Sequence, residues 1–243
     1  MSGKIIVALD GMDPRAAKAM AERLSSIESP ALWGFKGNDL LLEIGSSMVG
    51  LLKSESKGLG VFVDPKLHDI PKTVENSVNK LVMAGADLIT VHAAGTIEML
   101  KAAVRGTEDT DALILGVTVL TNETQADLDR EYGVGNMTIA RLVRLRAEKA
   151  VEAGLWGIVC APADLSVVSD LPIRKVSPNI RLDKSGTPDD QNRDRQATPE
   201  EAIELGADLI VIGRPITKAE APALTLRAIS QRLGLEAPLR DSG

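Results

Sequence analysis

Residues 59–92 read LGVFVDPKLHDIPKTVENSVNKLVMAGADLITVH. The segment opens on one aliphatic run, 59–63, and closes on another, 88–91, each apolar without alternation, as strands buried on both faces require. Between them Val74, Val78, Leu81 and Val82 recur at three- and four-residue spacing, the period of an amphipathic helix over 74–83. Gly85 follows, where a helix takes a left-handed cap before the chain turns into the next strand. The unit is strand, helix, strand, and it places Asp64, Lys66, His68 and Asp69 in the connection after the first strand.

The same pattern runs outward in both directions. Aliphatic runs at 5–9, 31–35, 59–63, 88–91, 113–119, 157–160, 173–176 and 209–212 make eight expected strands. Helical period is clear at 14–24, 74–83, 97–104, 139–153 and 199–205. Gly85, Gly154 and Gly206 mark three similar helix-to-strand joints, and Thr198-Pro199-Glu200-Glu201 is a helix start with a capping threonine and a glutamate at the third helical position. Eight strand–helix units in 243 residues predict an α/β fold, a single-domain (β/α)8 TIM barrel spanning 1–243, since such barrels take about 250 residues. An open doubly wound sheet is the alternative. It would be favoured by a G-x-G-x-x-G turn after the first strand, and Leu9-Asp10-Gly11-Met12-Asp13-Pro14 is not one.

Composition removes several function classes. Aromatic residues make up 2% of the chain, too few for a base-stacking platform, and the net charge of −6 opposes non-specific binding to nucleic acid or an anionic membrane. One cysteine and two histidines exclude an internal disulfide and a thiolate or imidazole zinc cage. No apolar stretch approaches the roughly 20 residues of a spanning helix, and Asp10 comes too early for a signal peptide, so the expected location is cytoplasmic.

Barrel enzymes carry their chemistry where strands end in the βα loops. Those positions hold Asp10, Lys36, Asp64, Lys66, His92, Thr121 and Arg214. Strand alternation aims Asp64 and Lys66 at the same side, and Lys36 ends the neighbouring strand, within reach at an interstrand spacing of about 4.8 Å. A single Lys–Asp pair is an ordinary surface ion pair. Two lysines converging with aspartates after apolar runs are an expected catalytic cluster. His68 and His92 read as hydrogen-bonded structural groups and Cys160 as a buried, inert thiol. Near the end, the long connection around 178–197 lacks apolar period and holds Arg181 and Gln191; it reads as a lid or binding loop, with a disordered insert as the alternative. Gly213-Arg214-Pro215 follows the last strand, where barrels frequently bind phosphate, so a phosphorylated small molecule is the expected ligand.

At these residues the chain resembles the orotidine 5'-phosphate decarboxylase family. Asp64-Pro65-Lys66-Leu67-His68-Asp69-Ile70-Pro71-Lys72-Thr73 is similar to the family signature D-x-K-x-x-D-I-P-x-T. Leu120-Thr121, Ile180-Arg181, Asp190-Gln191-Asn192-Arg193, Ala197-Thr198-Pro199 and Gly213-Arg214-Pro215-Ile216 follow in the family's order, from Val7 to about Thr217 overall. The resemblance implies cofactor-independent decarboxylation of orotidine 5'-phosphate to UMP, the last step of de novo pyrimidine nucleotide synthesis, with no metal. It implies that Asp10 and Lys36 bind the ribose, Asp64 faces the substrate carboxylate and Lys66 delivers a proton to C6. Thr121 would contact the base, while Arg181, Gln191, Gly213 and Arg214 would hold the phosphate in a gripping loop. It also implies a homodimer in which Asp69, with Ile70 and Thr73 beside it, serves the neighbouring subunit's site.

Two places depart from the family pattern: Phe35-Lys36-Gly37-Asn38-Asp39 stands where K-V-G-x-E is common around the strand-two lysine, and Lys72 where asparagine is common. The rival readings are a magnesium-dependent sugar-phosphate enzyme on the same barrel, for which Glu43-Ile44-Gly45 gives superficial support, and a non-catalytic nucleotide-binding barrel.

Overall fold

In the computed structural model, which describes residues 3–182 and 193–236, the eight aliphatic runs are parallel strands closed into a barrel in sequence order. They are β1 (Lys4–Ala8), β2 (Leu32–Gly37), β3 (Gly60–Leu67), β4 (Leu88–His92), β5 (Leu113–Val117), β6 (Gly157–Val159), β7 (Arg174–Ser177) and β8 (Leu209–Ile212). The helices around them are α1 (Pro14–Ser25), α2 (Leu40–Ile44), α3 (Ser47–Glu55), α4 (Pro71–Met83), α5 (Ile97–Arg105), α6 (Gln125–Tyr132), α7 (Ile139–Glu152), α8 (Pro199–Glu204), α9 (Arg214–Thr217) and α10 (Pro222–Arg232). Between β6 and β7 a 3-10 segment, Pro162–Val168, takes the place of a full helix. None of the described helices is long and apolar enough to cross a membrane.

Five helices match the periodic segments closely. The α4 helix starts three residues earlier than its apolar period, because Pro71 supplies a pre-set φ at the first helical position. Gly85, Gly154 and Gly206 all have positive φ, as the shared joint requires, and Thr198 with Glu201 forms a complete capping box. The α2, α3, α6, α9 and α10 helices escaped the periodicity reading; the first four are short, with too few apolar repeats to stand out.

Two apolar layers result. Ile6, Ala8, Phe62, Leu88, Leu115, Val176, Leu209 and Val211 fill the barrel interior, while a larger shell including Ile5, Val7, Phe35, Val61 and Ile89 packs the strand exteriors against helices. Trp33 is the extra residue of a register shift between β1 and β2 and packs against the inner layer. A Cβ at Gly60 would lie 2.4 Å from the Trp33 ring, so glycine is what allows the indole in. The interior is therefore plugged with hydrocarbon below the polar mouth, which leaves the βα loops as the surface for chemistry.

Candidate active site

At the C-terminal ends of the strands lies a cavity of about 480 Å³, within the range of small-molecule sites. Its lining includes the apolar Val117, Val119, Val159 and Val211 together with a set of charged and polar groups. Its lining includes the acids and lysines Asp10, Lys36, Asp64 and Lys66 and, from later loops, Thr121, Arg181, Gly213, Arg214 and Lys218.

These acids and lysines form a continuous chain. Lys36 Nζ donates to Asp10 Oδ2 at 2.6 Å and to Asp64 Oδ2 at 3.1 Å, and Lys66 Nζ donates to the same Asp64 oxygen at 2.8 Å. Asp64 and Lys36 are both 7% exposed, so neither charge is free to solvate itself. Burial disfavours the charged form of Lys36, but the Asp64 and Asp10 carboxylates outweigh it and hold the ammonium above its ordinary pKa. Burial likewise opposes ionised Asp64, and Lys36 and Lys66 overcome it, so its carboxyl lies below the usual range. At neutral pH the site carries fixed, alternating charges.

Strand alternation accounts for Lys36 but not for Lys66. Val63 pairs with Ile89 and Leu67 with Val91, so Asp64, Pro65 and Lys66 bulge opposite Thr90, and Lys66 takes a φ of 48°. The bulge, rather than a regular pleat, brings the two side chains together. Thr90, fully buried, donates to Asp64 Oδ1 at 2.7 Å and accepts the Lys66 backbone N–H at 2.9 Å. Asn38 donates its side-chain amide to the Asp64 carbonyl, and Asp39 accepts the Gly11 N–H at 2.8 Å. The departure at Gly37-Asn38-Asp39 thus has local work to do beside the cluster, and Lys36 keeps its expected register. Lys72 is an exposed partner of Glu75 at 2.7 Å.

The loops that carry Thr121 and Arg181 are held by hydrogen bonds across the connections. The Arg181 N–H donates to the Ala197 carbonyl at 2.9 Å, and Ile180 bridges Ala197, closing the base of the long connection. Buried Arg195 donates to the Leu120 carbonyl at 2.7 Å and pairs with buried Asp164, and its own carbonyl accepts from Asn179. Gln191 lies outside the described residues.

Asp69, Ile70 and Thr73 are exposed and do not line this cavity. Asp69 and Ile70 border a separate groove with His68, Thr96 and Met99. His92 stacks on His68 with ring centroids 5.6 Å apart, and its Nδ1 accepts the Ala94 N–H. Burial, with Arg146 and other nearby cations, lowers the His92 pKa to about 4, which keeps it neutral and structural. Burial pushes the Cys160 thiol up to about 12, so it is no nucleophile.

A family model described as Orotidine 5'-phosphate decarboxylase / HUMPS family matches residues 3–229. The chain belongs to that family. It is 39% identical to the orotidine 5'-phosphate decarboxylase of Synechococcus sp. (strain WH7803), over 93% of each chain. Identity to the enzyme of the same name from Rhodopseudomonas palustris (strain BisA53) is 41%, over 93% of this chain and 92% of the relative. Among solved structures, orotidine 5'-phosphate decarboxylase from Lactobacillus acidophilus superposes with a TM-score of 0.78 at 28% identity, covering 95% of this chain and 98% of that one.

Of the expected site residues, the family barrel brings Asp10, Lys36, Asp64, Lys66, Thr121, Arg181, Gly213 and Arg214 around one cavity. Sequence reading missed Thr90, Asn38, Arg195 and Lys218. Thr90 had a signal: it shares the inward face of β4 with Leu88, an unusual place for a hydroxyl. The others lie in connections whose path a single sequence does not specify.

Proposed function

We propose that this chain decarboxylates orotidine 5'-phosphate to UMP and CO2 without a cofactor. The observation that carries this reading is the Asp10–Lys36–Asp64–Lys66 chain, buried at Lys36 and Asp64, which lines the same cavity as Arg181 and Arg214. The curated relatives at 39% and 41% identity, all bearing the decarboxylase name, support it.

The phosphate sits between Gly213, Arg214, Arg181 and Gln191, the ribose meets Asp10 and Lys36, and Thr121 contacts the base. The orotate carboxylate then lies against Asp64. The bond from C6 to the carboxylate carbon breaks, its electron pair stays at C6, and Lys66 Nζ–H gives C6 a proton; solvent reprotonates the lysine. Like charges about 4 Å apart repel by roughly 4 kcal/mol at an effective dielectric near 20. Enzymatic accelerations need about 8–23 kcal/mol, so repulsion by Asp64 is a minor part. The Lys66 ammonium, held by Asp64 before the reaction begins, stabilises the charge that develops at C6, and phosphate binding energy holds the ring in register.

Asp69, Ile70 and Thr73 belong to a second copy's site, so the working enzyme is a homodimer, and its place is the cytoplasm. The single domain ends its phosphate grip in the connection around 178–197. Incubation with orotidine 5'-phosphate in EDTA, followed by loss of orotate absorbance, tests the reading. Metal-independent turnover is expected. Loss of activity in EDTA favours the magnesium-dependent sister chemistry, although Glu43 is exposed on α2 and does not line the cavity. Binding without turnover makes the chain a nucleotide-binding barrel.

A further inference from the structure

We infer that Thr90 is a positioning residue for the decarboxylation, fixing both the Asp64 carboxylate and the Lys66 backbone through one hydroxyl; this deepens the proposed function and rests on it. Thr90 lies on β4 opposite the β3 bulge, where three residues, Asp64, Pro65 and Lys66, face one. A bulge leaves ladder groups unpaired, and here the Lys66 N–H would be one of them. The Thr90 Oγ1 accepts it at 2.9 Å. A hydroxyl has a single proton, and the Thr90 proton goes to Asp64 Oδ1 at 2.7 Å. Both directions of the hydroxyl are therefore committed to the two charged residues at the reacting centre.

The consequence is a division of labour on the carboxylate. Asp64 Oδ2 takes Lys36 and Lys66, and Oδ1 takes Thr90, so the plane of the carboxylate is set at both ends. Lys66 is a side-chain-bearing residue at φ 48°, a conformation that needs outside support. The hydrogen bond from its N–H to Thr90 supplies that support and aims the ammonium at the cavity. Thr90 itself is fully buried and does not line the cavity, so it acts on substrate through its neighbours.

This makes an asymmetric kinetic expectation. An interaction that places the proton donor and the carboxylate matters most when charge develops at C6, whereas ground-state binding is dominated by the phosphate and ribose contacts elsewhere. Thr90→Val keeps the shape and removes the hydroxyl; kcat should fall about 10- to 100-fold while KM changes less than about 3-fold. Thr90→Ser restores the oxygen and should recover most of kcat. A second arm reads the geometry without turnover. The Lys66 amide should exchange its hydrogen at least about 10-fold faster in Thr90→Val than in the wild type or Thr90→Ser, with other β3 and β4 amides unchanged. Equal kcat in Thr90→Val and wild type, or an unchanged Lys66 amide, overturns the inference. Failure of the wild-type chain to turn over orotidine 5'-phosphate overturns the proposed function instead, and the amide arm still decides whether Thr90 pins the bulge.

Discussion

Asp64 accepts from two ammonium groups and one hydroxyl while almost wholly buried, so its ionised state is built into the fold. Lys66→Ala removes the proposed proton donor and leaves that carboxylate short of a partner; turnover should fall by at least about 10³-fold with the chain still folded, as read by the orotate absorbance assay and circular dichroism. Arg214→Ala acts at another part of the cavity lining. It should chiefly raise KM, by about 10- to 100-fold, and initial rates across substrate concentration separate this from any fall in kcat. An unchanged KM would remove Arg214 from the phosphate contacts.

Titration at this scale has definite signs. Asp64 ionises more readily in the folded chain, so its contribution to stability is present above its unfolded pKa and is lost as the pH falls through the lower folded value. His92 is also lowered, to about 4, but being basic it stays neutral in the fold while the unfolded chain takes up a proton below 6.5. Stability should therefore decline as the pH drops from about 6.5 towards 4. In His92→Asn, which keeps an acceptor for the Ala94 N–H, urea titrations between pH 5 and 6.5 should show a flatter slope; an unchanged slope would refute a neutral His92 in the fold.

Among elements, the βα connections are tied by a few buried polar groups. Arg195 joins the segment before α8 to the Leu120 and Glu123 carbonyls after β5 and to Asp164 in the 3-10 segment after β6. Removing one member of a buried ion pair strands the other, at a cost of about 3–5 kcal/mol, whereas replacing both by apolar groups is often neutral. Arg195→Ala should lose about that much stability in urea, and the Asp164→Leu, Arg195→Met pair should lose much less. Since Leu120 precedes Thr121, Arg195→Ala should also weaken substrate binding. The elements themselves were largely readable: 209–212 is β8 without change, and Gly85, Gly154 and Gly206 end helices where expected. The 3-10 segment was not, because it lacks a helical apolar period.

At the level of the molecule, one chain leaves Asp69 exposed on the rim of a second groove, away from the cavity that holds Lys66. If two copies share sites, a mixture of Lys66→Ala and Asp69→Ala chains forms hybrids with one intact site. Random pairing should restore about a quarter of wild-type activity per chain, from two proteins nearly inactive when separate. No recovery on mixing would confine each site to its own chain.

Periodicity and turn chemistry are local properties, so the alternation of buried runs with amphipathic segments was enough to specify eight staves and where Asp10, Lys36, Asp64 and Arg214 fall at their ends. That Lys66 meets Asp64 was also expected, but the geometry by which they meet was a different matter. It depends on a register irregularity between β3 and β4 and on Thr90, 26 residues from Asp64, filling the gap with a hydroxyl. Register and cross-strand hydrogen bonds follow from how whole strands settle against one another, so the bulge and the Thr90 contacts that fix the pair existed only once the barrel had closed.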